Sequence, residues 1–127
     1  METKCVMVID AELPTGLIAN TAAVLSLTLG HEIKGIIGPS VKDGSGNSHV
    51  GITTTPIPIL KGDSFLIKEL REKLYNEEFS ELFVVDFSNA AQTTKCYEEY
   101  TEKIATFSQK NLEYLGIAME IRKRLIN

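Results

Sequence analysis

A chain of 127 residues with a formal net charge of −4 is long enough for one domain, residues 1–127, with a core of its own and no covalent staples. An acidic total argues against an extended phosphate-gripping surface, and so against a nucleic-acid partner. Only two cysteines occur, Cys5 and Cys96, far apart in sequence, which excludes a disulfide framework and suits a reducing, cytoplasmic setting.

Cys5 to Asp10, CVMVID, is a near-continuous apolar run with β-branched residues, the pattern of a strand covered on both faces. Nothing before it combines a basic stretch, an apolar core and a small-residue cleavage site, so no secretory leader is read there. Leu13 to Gly30 then runs for 18 residues without a charge. Pro14 fits a first helical turn, and Ile18, Ala22, Leu25 and Leu29 share one stripe, with Gly30 as the expected stop. Pro14, Gly16, Asn20, Thr21, Ser26 and Thr28 make the segment a poor membrane span, so it reads as a buried helix and no membrane partner is expected.

Ile33 to Gly38 reads as a short second strand, and the Gly-, Ser- and Asn-rich residues 39–51 as an exposed loop. Ile52 to Leu60 is extended, but Pro56 and Pro58 confine it to an edge or a non-ladder segment. Asp63 or Ser64 caps a helix that spaces Leu66, Ile67, Leu70 and Leu74 along one side. Leu82 to Phe87 is a second buried strand. A third helix groups Tyr97, Tyr100, Ile104 and Phe107, and Tyr114 to Ile121 is a last strand. Arg122–Arg124 reads as a solvated strand end. The order β-α-β-(extended)-α-β-α-β predicts a three-layer α/β/α domain around a small, mixed sheet of about four strands.

Open α/β sheets place ligands beside the carboxyl ends of their strands. Asp10 and Asp86 stand at two such ends. If those strands are parallel neighbours, the carboxylates can approach and supply a general acid or base; otherwise each caps a turn or helix. Asn20 and Thr21 interrupt the first helix, where an unmet amide costs about 1–3 kcal/mol. They face either a neighbouring loop or a ligand at the mouth of a cleft. His31 follows Gly30, where a helix C-terminus favours it. His49 sits on a loop, facing either solvent or a ligand. Ser88 to Thr94 forms a helix-entry turn or a site wall. No metal-ligand spacing and no glycine-rich phosphate signature occurs, so neither metal nor cofactor is expected.

Taken together, KCVMVIDAELPTGLIANTAAVLSLTLG (residues 4–30), PIPIL, AQTT and YLGIAM resemble a bacterial family of unknown function with the fold of type II peptidyl-tRNA hydrolases. The likeness covers nearly the whole chain. It implies a compact α/β/α domain with a mixed four-stranded sheet, often dimeric, so a homodimer is an expected partner state. The hydrolases cleave the ester between peptide and tRNA and open their first helix with Gly-Lys-Ile-Ala-Ala-Gln. Here that stretch is Gly16, Leu17, Ile18, Ala19, Asn20, Thr21. Leu17 replaces the functional lysine, a second lysine upstream is deleted, and no histidine follows in the helix. Asp86 matches the aspartate of an Asp-Ala-Gly turn. Family members run on past the final LIN, which implies a chain shortened at its end.

The expectation is therefore a small-molecule ligand site: Asn20 and Thr21 as the floor of an uncharged cleft, completed by Asp86, Asp10 and His49. Without lysine, a site that must hold a polyanion and a developing oxyanion loses its main electrostatic means. The alternative is a hydrolase of a peptidyl-tRNA-like or smaller ester or amide, with Asp86 as catalytic base. A purely structural dimer module is the third class.

Overall fold

The computed structural model describes residues 2–123. β1 (Glu2–Asp10) leads into α1 (Thr15–Glu32), and a small ribbon follows, β2 (Val41–Lys42) with β3 (Ser48–His49). Next come β4 (Ile59–Gly62), α2 (Ser64–Leu74), a single 3-10 turn (Glu77–Phe79) and β5 (Phe83–Ser88). Two short helices, α3 (Asn89–Gln92) and α4 (Tyr97–Ala105), precede β6 (Tyr114–Lys123). The side chains of Arg122 to Arg124 lie outside the described residues. No described helix is long and apolar enough to cross a membrane.

The main sheet is mixed and four-stranded, in the order β4-β1-β6-β5. β4 runs parallel to β1, and β6 runs antiparallel to both β1 and β5. Alternation along the strands sends Met7, Ile9, Ala118 and Phe87 to one face, against Leu25 and Leu29 of α1. Val8, Ile117 and Met119 go to the other face with Ile67 and Leu74 of α2. This two-sided burial is why CVMVID reads as a continuous apolar run.

α1 passes Gly30 and ends only at Glu32, and the Ile33 N–H returns to the Leu29 carbonyl at 2.9 Å. Gly30 has no left-handed φ; that conformation falls instead at Gly35, with φ 81°. The expected strand over residues 33–38 is for that reason a turn, with Ile33 and Ile36 buried as plugs under the helix end. Of that stretch only Ile37 bridges, to Thr53. Asp63 caps α2 by accepting the Leu66 N–H at 2.8 Å. Phe107 lies beyond the end of α4.

The loop over residues 39–51 is an ordered ribbon held at its tip by one carboxylate. Asp43 Oδ1 accepts the N–H groups of Ser45 at 2.8 Å and Asn47 at 3.1 Å, and Oδ2 meets His49 Nε2 at 2.8 Å. The His49 contact first, then the Asn47 and Ser45 N–H groups, hold the Asp43 carboxyl below its ordinary value. A depressed folded pKa contributes order that is full above the ordinary aspartate range and lost as pH falls through the folded value. The amide signals of Ser45 and Asn47 should therefore move to random-coil positions as pH falls below the ordinary aspartate range near about 4, ahead of the sheet amides. Unchanged signals while the rest of the carboxylates titrate would mean that Asp43 does not hold the turn.

Candidate functional site

β5 is an edge strand, and its outer side is roofed by the segment from α3 to α4. Lys103 Nζ donates to Thr93 Oγ1 at 2.6 Å, clamping the two helices together. Asn89 Oδ1 accepts the Glu113 N–H at 3.1 Å and fixes the start of α3 against the entry to β6. Between this roof, β5 and α1 lies a cleft of about 510 Å³. Val24 and Thr28 of α1, Val85, Asp86 and Phe87 of β5, and residues of the roof including Ala91, Thr94 to Tyr97 and Tyr100 line it. Tyr97 and Tyr100 meet edge to face, ring centroids 5.6 Å apart, and form an aromatic wall. The Cys96 thiol is exposed and donates to Glu99 Oε2 at 3.6 Å.

The backbone of β5 also contributes. Met7 donates its N–H to Pro58 on the β4 side at 3.0 Å, so Val8 faces β6 and pairs with Ile117. Ile117, turned towards β1, is the non-bonded partner of Asp86 across the other seam. The N–H and C=O of Asp86 consequently point out of the sheet, on the cleft side.

Asp86 is the electrostatic centre of the site. Its Oδ2 accepts from Arg71 Nε of α2 at 2.8 Å, with the two side chains only 18% and 14% exposed. The guanidinium lies 4.0 Å from the centre of the Tyr75 ring, a cation–π contact that the four-residue spacing on α2 makes natural. Tyr114, which opens β6, is 2% exposed. Burial first, then the Asp86 charge and Tyr75, push its phenol far above the ordinary tyrosine value, so it stays a neutral hydroxyl. Burial first, then the Asp86 charge and Tyr97, also raise Tyr100 from the cleft side. The Asp86 carboxylate, the Arg71 guanidinium and the phenols of Tyr75, Tyr100 and Tyr114 thus converge at the sheet edge.

Of the five residues singled out from the sequence, the cleft takes in Asp86. Asp10 ends β1, and β6 intervenes between β1 and β5. Asp86 and Val8 share a register row, so two strand spacings and two residues set the aspartates roughly 12 Å apart. Asp10 Oδ1 accepts the Glu12 N–H at 3.0 Å, a turn-holding bond. Asn20 is exposed on α1, one turn before Val24. Thr21 is fully buried against the sheet, its hydroxyl donating to the Leu17 carbonyl at 2.7 Å. His49 belongs to the ribbon tip with Asp43. The sequence reading missed Arg71, Tyr75 and Tyr114; the Arg-Tyr spacing on an amphipathic helix was the available signal. Among the described residues no group of three or more His, Cys, Asp or Glu converges as a metal site would.

These features define a mixed α/β domain with a polar, tyrosine-walled cleft on an edge strand. Residues 3–127 match the family described as protein of unknown function (DUF2000), and the chain belongs to that family. It is also similar in fold to a solved structure of a protein of unknown function, Atu0240 from Agrobacterium tumefaciens. The TM-score is 0.83 at 17% identity, over 95% of this chain and 87% of that one. No curated protein matches the sequence.

Proposed function

We propose that this chain is a cytosolic ligand-binding domain, with the three-layer α/β/α arrangement of type II peptidyl-tRNA hydrolases, whose site is the cleft beside Asp86. The observation that carries the reading is that cleft: about 510 Å³, in the size range of small-molecule sites. The wall of Tyr97 and Tyr100 suits a planar, apolar body. Lys95, Thr94 and the outward main chain of Asp86 suit a polar or carboxylate-bearing end. Asn20 is exposed one turn before Val24 on the helical stripe that also carries Thr28, which supports reading it as a polar group beside the cleft. Cys5 and Cys96, both free thiols, fit a reducing compartment.

The hydrolase alternative draws on Asp86 beside an open cleft. Leu17 weighs against it, since the position of the hydrolase lysine is taken by a side chain packed on the α1-side core. Titration with small aromatic carboxylic acids should shift the amide signals of Val85 to Phe87 and Thr94 to Tyr100, and Tyr100→Ala should weaken binding at least about tenfold. Shifts elsewhere, or none with this ligand class, would count against the binding reading. The purified protein should leave peptidyl-tRNA intact. Cleavage that disappears in Asp86→Asn would establish the hydrolase instead.

A further inference from the structure

We propose that the ribbon arm of residues 37–53 and the free edge of β4 form the interface between two copies of this chain. Every residue from 39 to 50 is exposed. From the base bridge Ile37–Thr53 the arm reaches roughly 25 Å at about 3.3 Å per residue. A two-stranded ribbon is marginal in water on its own. Yet this one carries Val41 and Val50 in the open, and Ile52 at its base; the last two are 84% and 78% exposed. After its return strand and a connecting stretch over residues 50–58 comes β4, where Ile59 and Leu60, and then Phe65 of α2, are each more than half exposed.

The area fits a dimer. Ile59 and Leu60 alternate to opposite faces of the sheet, so pairing along the edge covers one on each face. With on the order of 100 Å² outside per side chain, these six supply at most roughly 600 Å² of the about 800 Å² per partner that a stable interface takes. The remainder is polar rim and strand edge, as in interfaces generally.

The edge fits a second copy in particular. Met7 N–H donates to Pro58 O at 3.0 Å and Ala11 N–H to Gly62 O at 2.9 Å. Even-numbered residues of β4 therefore face β1, and the N–H and C=O groups of Ile59 and Lys61 face outward. The donor that Pro58 lacks falls on the β1 side, so the outer row is intact. Across a two-fold axis this strand pairs antiparallel with itself, and the closed dimer consumes the edge rather than propagating it. Centring the axis on Ile59 sets Lys61 opposite Ile57 and keeps the two ammonium groups apart.

The inference is independent of the cleft reading. Its test is sedimentation equilibrium of the full chain at tens of micromolar, beside Val50→Asp/Ile52→Asp and a control, Leu27→Asp, on the exposed side of α1. The wild type and the control should be dimers. The double variant should be a monomer with an unchanged circular dichroism spectrum, its dissociation constant raised at least about tenfold per substitution. A monomeric wild type would overturn the proposal, as would a double variant that dimerises as well as the wild type.

Discussion

Arg71→Met is expected to destabilise the domain by about 2–4 kcal/mol at neutral pH, the larger part of it from Asp86. The guanidinium donates to Asp86 Oδ2 at 2.8 Å, and both side chains are more than four-fifths buried. Removing it leaves a carboxylate held between the α2 face and the roof, with a buried phenol at Tyr114 and without the guanidinium that offsets its lost hydration. The contact over Tyr75 disappears as well. Some residual exposure keeps the cost at the lower end of what broken buried pairs show. Asp86→Asn should cost less, since Arg71 keeps its aromatic platform and an amide oxygen can still accept. The paired variant Arg71→Met/Asp86→Leu should recover to within about 1 kcal/mol of wild type, because replacing both members removes the uncompensated charge. Urea titrations of the three variants measure this. A single variant as stable as wild type would show that the ion pair is solvated rather than structural.

Because this pair holds α2 to β5, its loss also bears on the cleft. The same aspartate that meets Arg71 on one side offers its main chain on the other. A site whose central carboxylate is already engaged is better suited to positioning a bound molecule than to taking a proton from it, and this favours binding over hydrolysis.

How much of this was legible beforehand depends on the range of the interaction. β1 and β6 could be read from continuous apolar runs because both faces of the central strands are covered. α2 announced itself through the Asp63 cap, and the edge placement of β4 through Pro56 and Pro58. The stretch over residues 33–38 misled because three isoleucines have strand propensity, while a single left-handed Gly35 and the burial of Ile33 and Ile36 decided its conformation. Strand order was beyond reach. β1 and β5 run in the same direction but are not the neighbours that an approach of the two aspartates required, and Asp86 stands inside β5, two residues before its end; nothing local says that the last strand inserts between them. That insertion separates Asp10 from Asp86. It also brings Tyr114, paired with Ser88, within reach of the Asp86 charge, although the two residues are 28 positions apart in sequence. Ser88 to Thr94, open between a helix-entry turn and a site wall, does enter α3 at Ser88, while Ala91 and Thr94 line the cleft; the aromatic half of the cleft comes from Tyr97 and Tyr100, which the sequence reading grouped only as one face of a helix.

Thr21 shows why a polar side chain sits in the most apolar helix of the chain. Its hydroxyl is satisfied by the Leu17 carbonyl of its own helix, and its methyl rests over Gly116 of β6. A Cβ on Gly116 would stand 2.7 Å from Thr21 Cγ2, 3.1 Å from Leu25 Cδ1 and 3.3 Å from the Val8 carbonyl oxygen. Gly116 is what lets α1 approach the sheet this closely. Gly116→Ala should therefore cost about 1–3 kcal/mol through overpacking, and Gly116→Val more. Thr21→Ser, which keeps the hydroxyl and deletes the methyl, should cost about 1 kcal/mol for the void it leaves. The double variant Gly116→Ala/Thr21→Ser moves one methyl group from the helix to the strand. Its loss should fall short of the sum of the single losses by at least about 1 kcal/mol, where independent sites add within about 0.5 kcal/mol. Additive losses would mean that the helix yields by sliding away from the sheet. Such movement would also reach Val24 and Thr28, the α1 side of the cleft, and would show up as a change in ligand affinity in Gly116→Ala. Non-additive losses with unchanged affinity would make Thr21 a spacer between helix and sheet, and would leave Asn20, exposed one residue earlier, as the polar group of this pair available to a ligand.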